Sequence, residues 1–86
     1  MAKTVGNIRL YGASWCPDTI RSRRFLDGRR VAYEWHDVDL EPDARSYVEG
    51  IHHGPCRVPT IIFLDGSMLV EPSDAELGRK LTTLSA

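Results

Sequence analysis

Thr60-Ile61-Ile62-Phe63-Leu64 constrains this chain more than any other stretch. The run is β-branched and aromatic with almost no polar interruption, which is the character of a strand buried on both faces. Such a strand needs cover above and below. Asp65-Gly66 follows at once and is a type I′ turn signature, so the chain returns antiparallel through Ser67 to Val70.

The rest of the chain supplies the cover. Val5 to Tyr11 reads as a first strand, broken by Gly12, Ala13 and Ser14. A helix starts at Trp15–Cys16, because Pro17 suits the first helical position, and runs to about Arg29. Its apolar face is thin, only Ile20, Phe25 and Leu26, so arginine stems are expected to cover core surface. Val31 to Val38 reads as a second strand, parallel to the first across a right-handed crossover. Pro42 opens a second helix with Ala44, Tyr47, Val48 and Ile51 on one stripe. His52 and His53 occupy its last turn, and Gly54–Pro55 stops it. Ser73-Asp74-Ala75-Glu76 has capping-box spacing, and Leu77, Leu81 and Leu84 continue at helical period. Tyr33, Trp35, Tyr47 and Phe63 are read as core. The order is β-α-β-α-β-β-α, an α/β arrangement in a single domain over residues 1–86, with no linker or repeat.

Charge and cysteine usage narrow the function. A formal net charge of −1 excludes a protein whose main task is holding nucleic acid, which requires clustered positive charge. The charge is uneven, with Arg21, Arg23, Arg24, Arg29 and Arg30 followed by Glu34, Asp37, Asp39, Glu41, Asp43 and Glu49. This reads as two solvated faces of opposite sign, or as a basic rim that draws anionic groups toward a site. No apolar run approaches the roughly 20 residues that span a bilayer, and no membrane role is expected. Met1 to Leu10 lacks the pattern of a signal peptide, so the expected location is the cytoplasm. Two cysteines are too few for a disulfide framework, and in a reducing compartment an exposed one is read as reactive.

Cys16 stands where a strand ends and a helix begins. Unpaired N–H groups and the positive end of the helix dipole stabilise a thiolate there, and the thiolate is the nucleophile of disulfide exchange. A lowered pKa is therefore expected. Thr19 is placed to donate its hydroxyl to the sulfur, the arginines at 21, 23 and 24 add positive potential, and Asp18 opposes them. Val58-Pro59-Thr60 precedes the strongest strand. A cis bond at Val58–Pro59 would turn the Val58 backbone toward the Cys16 loop, whereas a trans bond would leave Pro59 a loop proline. Cys56 either resolves an oxidised Cys16, which needs Cα atoms within about 7 Å, or is an unrelated loop thiol. His52-His53-x-x-Cys56 lacks the convergent second cluster of a metal site, and the histidines fit a helix C-terminus better.

Trp15-Cys16-Pro17-Asp18-Thr19, then Val58-Pro59-Thr60 about forty residues on, then Asp65-Gly66-Ser67 and Pro72-Ser73, resembles the glutaredoxin family, most closely its mycoredoxin branch. The resemblance runs from about Ile8 to Leu84. It implies a thioredoxin-like fold, a four-stranded mixed sheet flanked by three helices, with a cis-proline at Pro59. It implies that Cys16 attacks mixed disulfides between proteins and a small thiol, mycothiol or glutathione, supported by Trp15, Pro17, Asp18, Thr19 and Pro59. Val58 and Pro59 would pair with the thiol's peptide-like part, and Ser73–Asp74 would hold a carboxylate or sugar end, as a capped helix N-terminus can. No bound cofactor or metal is implied. The small thiol is a cosubstrate, the partners are S-thiolated proteins, and the chain is taken as a monomer. Thr19 stands where the family usually has a second cysteine, which leaves a one-cysteine cycle. Asp18 replaces an aromatic residue and sets a negative charge where glutathione would lie. Two other functions use the same residues. One is an iron–sulfur cluster module with Cys16 as ligand, although Pro17-Asp18-Thr19 departs from the Gly-Phe-Ser pattern of such proteins. The other is a weakly active redox sensor.

Overall fold

The computed structural model describes residues 8–85, with the last of these described by its backbone only. The elements are β1 (Arg9–Gly12), α1 (Pro17–Gly28), β2 (Glu34–Asp37), α2 (Pro42–His52), β3 (Thr60–Ile62), β4 (Met68–Val70) and α3 (Asp74–Ser85). They form one four-stranded sheet in the order β2-β1-β3-β4. β1 runs parallel to β2, with Leu10 opposite Trp35, and antiparallel to β3, with Leu10 opposite Ile61. β4 returns antiparallel on β3, with Ile61 opposite Leu69. The expected start of the first strand at Val5 lies outside the described residues.

Alternation along β1 and β3 divides the core between the two faces of the sheet. Leu10, Ile61 and Phe63 join Ile8, Leu26, Leu77 and Leu81 beneath α1 and α3. Tyr11 and Ile62 join Val38, Ala44 and Val48 beneath α2. β3 is thus buried on both sides, and all three of its residues are buried. Truncating Leu10 or Ile61 to Ala would cost about 2–5 kcal/mol, since neither exposes any surface. The apolar face of α1 is thinner than expected, since Ile20 is exposed at the helix surface, and arginines complete it. The Arg23 guanidinium lies 3.9 Å from the Trp35 ring centroid and that of Arg29 lies 4.5 Å from Phe25.

Several boundaries differ for local reasons. Gly12 extends β1 instead of breaking it. A Cβ there would lie 2.6 Å from Thr19 Cγ2, so only glycine lets α1 approach the strand. β2 begins at Glu34, not Val31, because the Val31 N–H is still held by the Leu26 carbonyl at 3.0 Å behind a turn with Arg30 at φ 58°. The β3–β4 turn is not type I′, which needs positive φ at both central residues. Only Gly66 is positive, at φ 87°. The Gly66 N–H donates to the Phe63 carbonyl at 2.9 Å, which puts Leu64 and Asp65 at the corners and takes Leu64 out of the strand. Asp65 stays in ordinary backbone geometry and accepts from the Ser67 N–H at 3.0 Å and from Lys80 at 3.0 Å. α2 ends on His53 in left-handed geometry, with the Gly54 N–H donating to the Glu49 carbonyl at 3.2 Å. Tyr47 is exposed, not core. It leans on Tyr11 with Arg9 above its ring, outside the apolar cluster.

Candidate active site

β1 delivers the chain to the edge of the sheet, where Ala13 to Trp15 turn it into α1. The Cys16 N–H donates to the Ala13 carbonyl at 3.0 Å, and Cys16 is the extended N-cap of the helix. The first helical bond runs from the Ile20 N–H to the Cys16 carbonyl at 2.9 Å. The N–H groups of Asp18 and Thr19 precede it and have no helical carbonyl to reach, while Pro17 has no N–H. The Cys16 side chain makes no capping bond. Its thiol, on a residue only 9% exposed, points at the Val58 carbonyl 4.0 Å away. The Val58–Pro59 peptide bond is cis. Cys16, Val58 and Pro59, 42 residues apart in sequence at their ends Cys16 and Val58, therefore meet at one spot.

The residues around the thiol have tasks that differ in part from those expected. Thr19 is fully buried, and its hydroxyl accepts from the Ala13 N–H at 3.4 Å. It holds the Ala13 loop against Gly12 and does not serve the sulfur. Asp18 does not stand as a bare opposing charge. Arg21 meets its carboxylate at 2.7 Å, donates to the Pro72 carbonyl at 3.0 Å and lies 3.6 Å from Asp74. One guanidinium thereby ties the start of α1 to the start of α3. Arg23 turns away to Trp35 and the Tyr33 hydroxyl, so it adds nothing directly at the thiol.

Trp15 is 68% exposed beside Cys16 in the chain. Its indole N–H donates to Asp39 at 2.8 Å, and Asp39 is 3.7 Å from Arg45. The large flat ring is thus held in one orientation from the β2–α2 loop. Sequence reading placed Asp39 only in a run of acids. No local spacing signals a bond across 24 residues, and Arg21 gave no sign of its bridging role either.

At α3 the capping box is formed. The Ser73 N–H donates to Glu76 at 2.8 Å, and the Glu76 N–H donates to the Ser73 hydroxyl at 3.1 Å. Both Ser73 groups are therefore in use. The N–H groups of Asp74 and Ala75 are the ones left without an acceptor among the described residues.

Cys56 lies half-buried in the loop before Pro59 and, like Ile51 and Val58, packs against the Tyr11, Val38, Ala44, Val48 and Ile62 cluster. Burial pushes its thiol up, Arg45 opposes the rise, and Glu49 and Asp39 add to it. Both cysteines are free. The loop is tied to α2 through Thr60. The Thr60 hydroxyl donates to the Arg57 carbonyl at 2.7 Å and so accepts from His52 Nε2, 3.0 Å away. No group of three or more histidine, cysteine or carboxylate side chains among the described residues is arranged to hold a metal ion. No helix among them is long and apolar enough to cross a membrane.

Comparison with known proteins gives consistent results. The glutaredoxin family model matches residues 8–69. The chain is 33% identical over 78 residues to a Mycobacterium tuberculosis protein assigned to the glutaredoxins, covering 91% of this chain and 93% of that one. It is 31% identical over 81 residues to mycoredoxin 1 of Corynebacterium glutamicum, covering 94% of this chain and 100% of that one. Among solved structures, a thioredoxin-like protein matches with TM-score 0.73 at 26% identity, over 85% of this chain and 97% of its own. A glutaredoxin from Archaeoglobus fulgidus matches with TM-score 0.71 at 23% identity, over 86% and 84%.

Proposed function

The chain belongs to the glutaredoxin family and has its thioredoxin-like fold, and from that premise we propose that it reduces mixed disulfides between cytoplasmic proteins and a small thiol through Cys16 alone. The observation that carries the reading is the Cys16 thiol at the open end of α1, facing the Val58 carbonyl at 4.0 Å.

The cycle balances with one cysteine. The Cys16 thiolate attacks the small thiol's sulfur in the mixed disulfide. The bond to the protein sulfur breaks, and that sulfur leaves as a thiolate and takes a proton from water. Cys16 is then joined to the small thiol. A second small thiol, as its thiolate, attacks the small-thiol sulfur of this bond and releases the Cys16 thiolate and the small-thiol disulfide. Thr19, one turn into the helix, has no sulfur with which to intercept the intermediate.

The Asp18 and Thr19 N–H groups and the helix dipole support the Cys16 thiolate in both steps. The Val58 backbone supports the peptide-like part of the small thiol. The open N–H groups of Asp74 and Ala75 suit its carboxylate or sugar end, and the fixed, exposed Trp15 offers a flat face beside the sulfur. Mycothiol is the small thiol we assign, from the full-length similarity to mycoredoxin 1.

A model peptide carried as its mixed disulfide with mycothiol, and separately with glutathione, tests the reading. Wild type should turn over the mycothiol disulfide faster, and Cys16→Ser should turn over neither. Equal rates with both thiols would remove the assignment of mycothiol. Absence of turnover with both would remove the enzyme, and visible absorbance in anaerobically purified protein would then point to a cluster on Cys16.

A further inference from the structure

Two grooves adjoin on the face opposite α2. One, of about 520 Å3, starts at Pro17 next to the nucleophile and is walled by Ile20, Arg24 and Phe25. The other, of about 600 Å3, continues between α1 and α3 past Arg29 and Arg79 to Thr83. They share Phe25 and Asp74, so they form one trough leading away from Cys16. The twelve residues of α1 set its length at about 18 Å. Its floor is the Phe25 ring against Gly78, where an added Cβ would come within 3.3 Å of the ring.

The rim is charged and unpaired. Arg24, Arg29 and Arg79 have no carboxylate within ion-pair distance among the described residues, whereas Arg21 is committed to Asp18 and Asp74. Asp37, Asp39, Asp43 and Glu49 belong to β2, α2 and the loop between them, and Arg45 is already occupied there by Asp39 and Glu49. A chain of net charge −1 therefore presents a cationic, apolar-floored channel that begins at its nucleophile.

We propose that the part of this trough beyond its Asp74–Ala75 end, along Arg24, Phe25, Arg29 and Arg79, docks the acidic segment flanking the modified cysteine of an S-thiolated protein, while the small thiol keeps the Asp74–Ala75 end and the mixed disulfide reaches Cys16. The occupant is acidic because three unpaired guanidinium groups line the channel. The inference rests on the one-cysteine reduction proposed above, and adds the recognition of its protein substrate.

Two peptide mixed disulfides with mycothiol provide the test, one with aspartates and glutamates at the six positions after its cysteine and one with serines and asparagines there. At low salt wild type should prefer the acidic peptide in kcat/KM by about tenfold, and 0.5 M salt should abolish the preference. Arg29→Gln with Arg79→Gln should remove the preference and leave the neutral peptide's rate unchanged. Equal kcat/KM for the two peptides at low salt would overturn the proposal. A separate arm needs no turnover: the acidic peptide, its cysteine replaced by serine, is titrated into the Cys16→Ser protein and followed by NMR. Shifts of the Arg24, Phe25, Gly78 and Arg79 amides support docking even if the redox reading fails. Shifts confined to α2, or a dimer in sedimentation that fills the trough with its own acidic face, would overturn it.

Discussion

Cys16 sits at the open end of a helix with its thiol 4.0 Å from a backbone carbonyl, whereas Cys56 lies in a loop against the apolar cluster beneath α2, where burial pushes its thiol up. Cys16 is the more buried of the two. Exposure alone would therefore favour Cys56 over Cys16 as the reactive thiol. The difference lies in what surrounds each sulfur. Around Cys16 are main-chain N–H groups that no helical carbonyl can satisfy. Around Cys56 are apolar side chains and two carboxylates, against a single arginine.

The strongest attempt to break this contrast is to delete each thiol. Cys16→Ser should lower turnover of a mixed disulfide by about a thousandfold or more. Cys56→Ser should leave the rate within about twofold of wild type and give no change in the disulfides found after mild oxidation, as non-reducing mass spectrometry would show. An intramolecular bond lost in that variant would instead make Cys56 a resolving thiol.

Gly12→Ala tests the frame behind Cys16 without touching either sulfur. The new methyl meets Thr19 at 2.6 Å, so unfolding by urea should show a loss of about 1–3 kcal/mol. Adding Thr19→Ser, which removes the Cγ2 methyl but leaves the hydroxyl oxygen 2.7 Å away, should recover part of it. A smaller effect is expected from Arg21→Ala, which leaves Asp18 uncompensated next to the reacting sulfur. The kcat/KM should drop by about fivefold, and Asp18→Asn in the same chain should restore most of it.

The least change comes from pH at the second thiol. A raised pKa keeps Cys56 protonated at neutrality, so its alkylation rate should keep rising with pH beyond the ordinary thiol midpoint of about 8.5. Alkylation of the Cys16→Ser protein, followed by mass spectrometry across the pH range, gives that profile for Cys56 alone. A midpoint at or below the ordinary value would erase the contrast from the Cys56 side.

The order of elements was legible because local chemistry marks each start. Pro17 and Pro42 open two helices, and the Ser73–Glu76 box opens the third. Both-face burial of Thr60–Ile62 was legible from composition alone. The meeting of Cys16 with Val58 and Pro59 was suggested by resemblance, since no periodicity reports a cis bond. What escaped notice depends on contacts between elements. Gly12 looked like a strand breaker because glycine's propensity is local, while its use here is set by Thr19 on the next helix. Tyr47 kept the apolar period of α2 but lies at the margin of the sheet, where Tyr11 and Arg9 receive it in the open. Asp39 and Arg21 looked like ordinary surface charges because their partners stand in other elements.

The tie made by Arg21 bears on where this protein can be cut. The family match stops at residue 69, yet Arg21 is anchored at Pro72 and Asp74, beyond that limit. A fragment ending with the match would keep Cys16 and the proline opposite it, and would lose the anchor that holds the counterion of Asp18 in place. In a library of shuffled or trimmed chains, the minimal inheritable unit is therefore longer than the family signature: the last helix must travel with the first.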